Sequence, residues 1–290
     1  MRPRILDICA VFKLRIGIAI ALSAMAGAYA AGGEPLPTWK MMLLAFLVLA
    51  ASASAGAFNH LYERDVDARM ARTRSRPFVR GTFVAGPAWL GTIIVLLVAS
   101  VGAAASVFGL AVAMHVLLGA LVYAVVYTVW LKRRTSLNIM IGGLSGSFAV
   151  LAGAAAVDPA IGAAPLILAG VLFLWTPPHF WSLALWCRED YAAAGVPMLP
   201  VVKGESYTVR AILVHVAALS ALSLVPVAFG LGWIYLVAAA AGGAYFLRAS
   251  IRLTRTPSPH TALANFRASL VQLGLLLTGV FVDASFVGTL

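Results

Sequence analysis

The chain has 290 residues, of which 62% are hydrophobic and only 11% are charged, and its mean hydropathy is +0.97. A soluble domain carries about 25% charged residues, so this composition excludes a water-soluble globular protein. The net charge of +11 arises from 21 Lys and Arg against 10 Asp and Glu. We attribute this excess to membrane orientation and anion binding, and we expect no nucleic-acid partner.

Apolar runs of roughly 17–22 residues follow one another along the chain, which is the length of a helix that crosses the lipid bilayer. The short alternating segments of a closed barrel are absent from the sequence. The first run follows Lys13 and Arg15 and ends in small residues, as a signal peptide does. Because further spans follow it, we interpret it as a retained helix. The nine predicted spans are about 15–32, 40–60, 87–106, 109–130, 138–156, 163–185, 209–228, 232–248 and 267–286.

The polar connections differ sharply between the two sides of this predicted bundle. Four are basic, namely 61–83, 131–137, 187–208 and 249–266, and the others are short and nearly uncharged. Nine spans place all four, with the N-terminus, on one side, and Lys40 is the only Lys or Arg elsewhere. The positive-inside rule makes this side cytoplasmic and puts the C-terminus outside. The sequence thus predicts an all-α, multi-pass protein of a bacterial inner (plasma) membrane, with one domain over 1–290.

Acidic residues also concentrate on the basic side, although the positive-inside rule does not require them there. Asn59, Glu63 and Asp67 are spaced by four at the end of the second span. On a helix this spacing stacks their side chains in one stripe. An amide oxygen and two carboxylates suit a hard cation such as Mg²⁺. Asp65 falls on the far side of the helix, where we expect it to pair with an arginine.

Arginines follow this stripe at three- and four-residue spacing. Arg69, Arg72 and Arg76 could contact the phosphate oxygens that commonly share a Mg²⁺ site. The simpler interpretation is a solvated basic loop with acidic counter-charges. The regular spacing, and the presence of Asn59 in an apolar span, argue against it.

A second group of polar residues lies at the end of the sixth span. Pro177 and Pro178 remove two backbone donors, so we expect the helix to break there, with His179 directly after the break. An ionisable residue inside a span is by default a functional candidate, although a packed histidine bonded to a neighbouring helix is the simpler alternative. Glu189 and Asp190 follow in the next connection, as a second acidic motif or as ordinary loop charges.

The first stripe and the arginines behind it resemble the first acidic motif of UbiA-type intramembrane prenyltransferases. Within that superfamily the chain is similar to the protohaem IX farnesyltransferases over nearly its whole length, most specifically in Thr176-Pro177-Pro178-His179-Phe180-Trp181. The other matching segments are Tyr62-Glu63-Arg64-Asp65, Met70-x-Arg72-Thr73-x-Ser75-Arg76-Pro77, Tyr127-Thr128, Leu131-Lys132-Arg133, Asn138-Ile139 and Asp190-Tyr191-x3-Gly195-Val196-Pro197-Met198-Leu199-Pro200. Where the superfamily's second motif has paired aspartates, this chain has Cys187 and Tyr191.

This resemblance implies a nine-helix bundle of the UbiA type that moves the farnesyl group of farnesyl diphosphate to a vinyl group of protohaem IX. Water supplies a hydroxyl group, and the product is haem O for haem-copper terminal oxidases. It further implies a partner that receives the product, such as a haem A synthase or an oxidase assembly protein. The implied ligands of Mg²⁺ are Asn59, Glu63 and Asp67. The implied diphosphate contacts are Arg15, Arg72, Arg76, Lys132 and Arg133. His179 would lie near the porphyrin, as an iron ligand or a proton-transfer group.

Two other functions are compatible with parts of the sequence. Prenylation of another aromatic or tetrapyrrole acceptor would use the same metal stripe, but the segment around His179 favours haem. A secondary transporter would place broken helices near the bilayer midplane in both halves of the chain. Here the charges gather at one face and no second break is predicted, which argues against a transporter.

Overall fold

The computed structural model describes residues 5–287, and all the regular structure in that range is helical. The α-helices are α1 (Ile5–Val11), α2 (Leu14–Ala30), α3 (Thr38–Tyr62), α4 (Arg64–Asp67), α5 (Pro87–Phe108), α6 (Leu110–Leu121), α7 (Asn138–Gly142), α8 (Leu144–Val157), α9 (Ala163–Trp186), α10 (Arg188–Ala193), α11 (Leu199–Val202), α12 (Glu205–Leu222), α13 (Trp233–Arg255) and α14 (Pro259–Val287). Helix α6 continues as a π-helical segment, Val122–Leu131, and a 3₁₀ helix, Val225–Phe229, follows α12.

Eight helical segments in the described chain are long and apolar enough to cross a membrane. The shorter apolar helix α2 adds a ninth, so each predicted span corresponds to one helical segment of residues 5–287. Helix α8 is extended at its start by the short α7, and α6 by the π-helical segment. The chain is therefore an all-α, multi-pass membrane protein.

The predicted loop at 249–266 is wrong. Helix α13 runs on to Arg255 and α14 begins at Pro259, so the connection is only 256–258. Ser258 caps the new helix, since its Oγ accepts the Thr261 N–H at 3.1 Å, and proline is favourable at the first helical position. Hydropathy identifies only the part of a helix that lies in the hydrocarbon of the bilayer. The polar ends of α13 and α14 continue as helix outside that part.

The predicted helix break at Pro177 and Pro178 is also wrong. Helix α9 includes both prolines in one continuous helix from Ala163 to Trp186. Both are buried, and α12 and α14 pack along α9. Membrane helices commonly tolerate proline, because neighbouring helices and Ser or Thr side chains supply partners for the freed backbone groups.

The core consists of two apolar clusters. One lies among α9, α12, α13 and α14, and the other among α2, α3, α5, α6 and α8. Helices α2 and α8 join them by a very close backbone approach, in which Gly27 faces the Val150 carbonyl and Gly153 faces the Ala24 carbonyl. A Cβ atom on either glycine would overlap those backbone atoms, so only glycine permits this packing.

The end of the bundle remote from the basic connections contains a buried carboxylate. Asp283 of α14 accepts hydrogen bonds from the backbone N–H groups of Gly232, at 2.6 Å, and Tyr235, at 3.4 Å. These donors belong to the first turn of α13, which has no capping side chain of its own. Asp283 therefore caps α13 from a neighbouring helix, and its charge has a structural explanation.

Candidate active site

Three side chains at the end of α3 form what we call the acidic stripe: Asn59, Glu63 and Asp67. All are buried, with exposed fractions of 1%, 0% and 2%. Helix α3 ends at Tyr62 and α4 begins at Arg64, yet the backbone bonds from Glu63 N to Asn59 O (3.0 Å) and from Asp67 N to Glu63 O (2.8 Å) preserve the helical spacing. The four-residue stripe predicted from the sequence thus continues across a break in the helix.

Lys13, from the turn between α1 and α2, reaches the first member of the acidic stripe. Its Nζ donates to Asn59 Oδ1 at 2.5 Å and to the Tyr123 hydroxyl at 2.8 Å, while Asn59 Nδ2 donates to Thr128 Oγ1 at 2.9 Å. Tyr123 and Thr128 both lie in the π-helical segment. Lys13 has φ of 49°, a left-handed conformation that is uncommon for a residue with a side chain. Burial, together with nearby Arg76, lowers the pKa of Lys13 well below its usual value.

The two carboxylates of the acidic stripe also have cationic partners. Lys132, which follows the π-helical segment, donates to Glu63 Oε2. Arg76 Nη1 lies 2.8 Å and 2.7 Å from the two oxygens of Asp67. Counting Lys13, three basic side chains thus surround two carboxylates. This excess of basic side chains suits an anionic ligand.

One oxygen of the acidic stripe has no protein partner. Glu63 Oε1 is buried and accepts no hydrogen bond from any described residue, although an unpaired carboxylate oxygen is costly to bury. Residues 5–287 contain no cluster of three His, Cys, Asp or Glu side chains that could hold a metal ion. The available donors are two carboxylates and one amide oxygen. This oxygen-only set fits Mg²⁺, which fills its remaining positions with water and phosphate oxygens.

The second acidic motif positions the basic loop instead of adding carboxylates to the stripe. Both oxygens of Asp190 accept backbone N–H groups, from Ala71 and Arg72, each at 3.2 Å. Burial raises the pKa of Tyr191, and the positive charge of nearby Arg72 opposes that change. Asp190 and Tyr191 therefore place Arg72 at the rim of the site. Glu189 is exposed and has no hydrogen bond or ion pair to the described part of the chain.

Two of the predicted diphosphate contacts lie away from the acidic stripe. Arg133 forms a two-bond pair with Asp65, at 2.8 Å and 2.7 Å, on the exposed side of α4. The Arg133 bond lowers the pKa of Asp65, and the expectation that Asp65 pairs with an arginine is confirmed. Arg15 is exposed at the start of α2.

His179 is held between two aromatic rings. Its ring stacks on Trp175, with centroids 4.2 Å apart, and on Phe266 of α14, at 4.5 Å. Nδ1 lies 2.6 Å from Ser269 Oγ, and Trp175 Nε1 donates to the Ser269 carbonyl at 3.0 Å. At Nδ1, His179 therefore matches the simpler predicted alternative, a packed histidine bonded to a neighbouring helix.

A small apolar cluster brings the second sequence motif to the first. Val66 and Met70, beside the acidic stripe, pack with Tyr191 and Met198 from the connection after α9. Phe180, the neighbour of His179, packs against this cluster. The two groups of polar residues therefore belong to the same end of the bundle.

Residues 20–274 match the sequence profile of the UbiA prenyltransferase family. The chain belongs to this family. Relatives of this UbiA-family chain include protoheme IX farnesyltransferase 2 of Paramagnetospirillum magneticum, 56% identical over 97% of this chain and 98% of the relative. Protoheme IX farnesyltransferase 1 of the same organism is 46% identical (93% and 95% covered), and protoheme IX farnesyltransferase of Gloeobacter violaceus is 40% identical (94% and 90% covered).

Solved structures have the same UbiA fold. Digeranylgeranylglyceryl phosphate synthase superposes with a TM-score of 0.77 at 18% identity, covering 96% of this chain and 98% of that chain. A UbiA homolog from Archaeoglobus fulgidus, bound to DMAPP and Mg²⁺, superposes with a TM-score of 0.72 at 19% identity, covering 96% and 99%. At these identities the likeness establishes the fold alone.

Several residues of this UbiA-family site cannot be selected from sequence spacing. Lys13 and Tyr123 lie far along the chain from the residues that they contact, and so does Ser269. The one local signal for Lys13 is its position just before the first span, where Arg15 is an equally good candidate. Ser269 has no sequence signal beyond being a polar residue in an apolar helix.

Proposed function

We propose that this chain transfers the farnesyl group of farnesyl diphosphate to a vinyl group of protohaem IX, with addition of water, to give haem O. The proposal rests on the acidic stripe, in which two buried carboxylates, one with an unpartnered oxygen, are surrounded by an excess of basic side chains. The 56% identical relative described as a protoheme IX farnesyltransferase supports farnesyl as the donor and haem as the acceptor.

The acidic stripe would hold Mg²⁺ through Glu63, Asp67 and the amide oxygen of Asn59. When bound, Mg²⁺ would act as a Lewis acid and stabilise the negative charge of the departing diphosphate. Bound Mg²⁺ would compete with Lys132 and Arg76 for the carboxylates that they now contact. Both side chains would then be free to donate to the diphosphate oxygens. Arg72 completes the proposed basic rim, and Arg133 and Arg15 would lie farther out, along the approach of the diphosphate. Cations fixed in a water-poor site stabilise a leaving anion more strongly than solvent does.

Breaking the C–O bond to diphosphate leaves an allylic farnesyl cation. The terminal vinyl carbon of protohaem attacks it to form the new C–C bond, and hydroxide from water adds to the other vinyl carbon. The remaining proton of that water leaves with the diphosphate. The apolar clusters beside the site would keep bulk water from quenching the cation before the acceptor reacts. His179 would lie near the porphyrin, as an iron ligand or a proton-transfer group.

We place the protein in a bacterial inner membrane, with the basic connections and the N-terminus in the cytoplasm and the C-terminus outside. The diphosphate group of the donor would then reach the acidic stripe from the cytoplasmic side, while its farnesyl chain and the haem lie in the bilayer. The product would pass to a haem A synthase or an oxidase assembly protein.

The test is incubation of purified membranes with protohaem IX, farnesyl diphosphate and Mg²⁺, with mass spectrometry of the pigments. We expect haem enlarged by one farnesyl group and one hydroxyl group. In Asp67→Ala that product is lost although the protein still inserts and folds. Asp65→Ala, two residues away and paired outside the stripe, is the matched control and retains turnover. Near-normal product in Asp67→Ala removes the metal assignment, and prenylation of 4-hydroxybenzoate in place of haem identifies another acceptor.

A further inference from the structure

The hydroxyl group of Ser269 makes two short contacts at once. Its Oγ lies 2.6 Å from the carbonyl oxygen of Phe266, one turn earlier in α14, and 2.6 Å from Nδ1 of His179. Each contact is of hydrogen-bonding length and therefore needs a proton between its two heavy atoms. The serine hydroxyl has one proton, so the other must come from a partner.

Only one arrangement of protons satisfies both contacts. A carbonyl oxygen carries no proton, so the Ser269 hydroxyl donates to Phe266 O. The contact with His179 must then be an Nδ1–H group that donates to Ser269 Oγ. A neutral histidine carries one ring proton, so Nε2 keeps its lone pair.

We infer that Ser269 is a positioning residue that fixes His179 in the Nδ1–H tautomer and presents the Nε2 lone pair to the haem substrate. Nε2 of His179 has no hydrogen-bond partner within residues 5–287, but it is not fully buried, so a ligand can reach it. The residue as a whole keeps 7% of its surface accessible. Rotation of the ring is blocked by Trp175 and Phe266 on its two faces.

The chemistry required of this histidine explains why its tautomer matters. Iron binds the lone pair of a neutral imidazole nitrogen, and a proton acceptor uses the same lone pair. A nitrogen that carries hydrogen can do neither. The partner of the other ring nitrogen sets which one is free, and loss of such a partner typically costs about 10–100-fold in affinity or activity. This inference rests on the proposed function for its substrate, but the tautomer itself does not depend on turnover.

The chain offers a closely matched control for Ser269. Ser182 of α9 is also fully buried in the interface with α14, where its Oγ donates to Pro178 O at 2.6 Å and accepts from Asn265 Nδ2 at 2.9 Å. Ser182 thus makes the same two kinds of hydrogen bond at the same helix pair, and neither involves His179. Ser182→Ala reproduces the packing loss of Ser269→Ala and leaves the imidazole partner intact.

The experiment is ¹⁵N NMR of the full chain, labelled at histidine, in lipid nanodiscs without substrate. The protein has five histidines, and His179→Phe identifies the signals of this one. We expect wild type and Ser182→Ala to show a protonated Nδ1 and an unprotonated Nε2. In Ser269→Ala, where Nδ1–H loses its acceptor, the population shifts to the Nε2–H form. An unprotonated Nδ1 in wild type, or an unchanged spectrum in Ser269→Ala, overturns the inference.

Kinetics with haem separate this inference from the proposed function. We expect Ser269→Ala to lower kcat/KM for haem about 10–100-fold relative to Ser182→Ala, with KM for farnesyl diphosphate unchanged. Ser269→Thr, which retains the hydroxyl group, restores part of the loss. Equal kcat/KM in the two alanine variants contradicts the positioning role. If wild type farnesylates no haem at all, the proposed function fails, while the NMR result still decides the tautomer.

Discussion

Each member of the acidic stripe is paired with a basic side chain, and two of these three partners come from distant parts of the chain. Lys13 reaches Asn59, Lys132 reaches Glu63, and Arg76 reaches Asp67. A buried carboxylate without such a partner would be strongly destabilising, so these pairs stabilise the site before substrate arrives. Under the proposed function, Mg²⁺ would give the carboxylates, and a diphosphate would give the basic side chains, new partners of opposite charge. The same pairs would therefore stabilise the folded protein without substrate and keep the basic side chains in position for the departing diphosphate.

Lys13 and Arg15 are close in sequence, but only Lys13 contacts the acidic stripe. Lys13→Met should lower kcat for diphosphate release about 100- to 1,000-fold, the usual cost of removing one donor from a developing anion. Arg15→Gln should cost at least tenfold less, because Arg15 is exposed and Lys13 contacts the stripe. Steady-state release of diphosphate from both variants is the measurement. Equal losses would place the substrate nearer the surface of α2 than the stripe.

Glu63 carries the oxygen that the protein leaves unpartnered. Glu63→Gln keeps the shape of the side chain but removes its charge, so Mg²⁺ should bind more weakly and turnover should fall at least about 100-fold. Activity against Mg²⁺ concentration, after removal of the metal with EDTA, is the measurement. Glu205→Gln, an exposed glutamate at the start of α12, is the control. An unchanged Mg²⁺ dependence in Glu63→Gln would exclude this carboxylate as a ligand.

At the scale of helices, the contact between α2 and α8 joins the two apolar clusters. Lipid provides no hydrophobic force between membrane helices, so their association depends on close packing at small residues. Gly27 and Gly153 bring the two backbones together at Val150 and Ala24. Helix α2 begins directly after Lys13, so the helix held by this contact also leads to the lysine that reaches Asn59.

Gly153→Ala should separate these helices. Its Cβ would overlap the backbone of Ala24, and overpacking of this kind costs about 1–3 kcal/mol, so we expect a clear fall in melting temperature in detergent. Gly146→Ala, in the same helix, is the matched control because its Cβ would meet only Leu172 Cδ2 at 3.8 Å. Comparable melting temperatures for the two variants would contradict the close approach.

At the scale of the whole molecule, the spans could be predicted because hydropathy depends on local composition. The helical polar ends, such as the end of α13 at Arg255, could not, because hydropathy gives no signal outside hydrocarbon. The acidic stripe could be predicted because its spacing of four is a local helical property. The partners of Glu63 and His179 could not, since they are 69 and 90 residues away in sequence and become neighbours only through packing.

The orientation of the bundle remains a prediction of its charge distribution. The basic connections should face the cytoplasm, since translocating many Lys and Arg is unfavourable. Cys9 and Cys187 are unpaired, so replacing both with serine provides a background for single-cysteine labelling. On intact cells, an impermeant maleimide should label Glu34→Cys but not Pro257→Cys, and after permeabilisation it should label both. These positions are exposed at opposite ends of the bundle, so the reverse pattern would place the acidic stripe outside, away from cytoplasmic diphosphate.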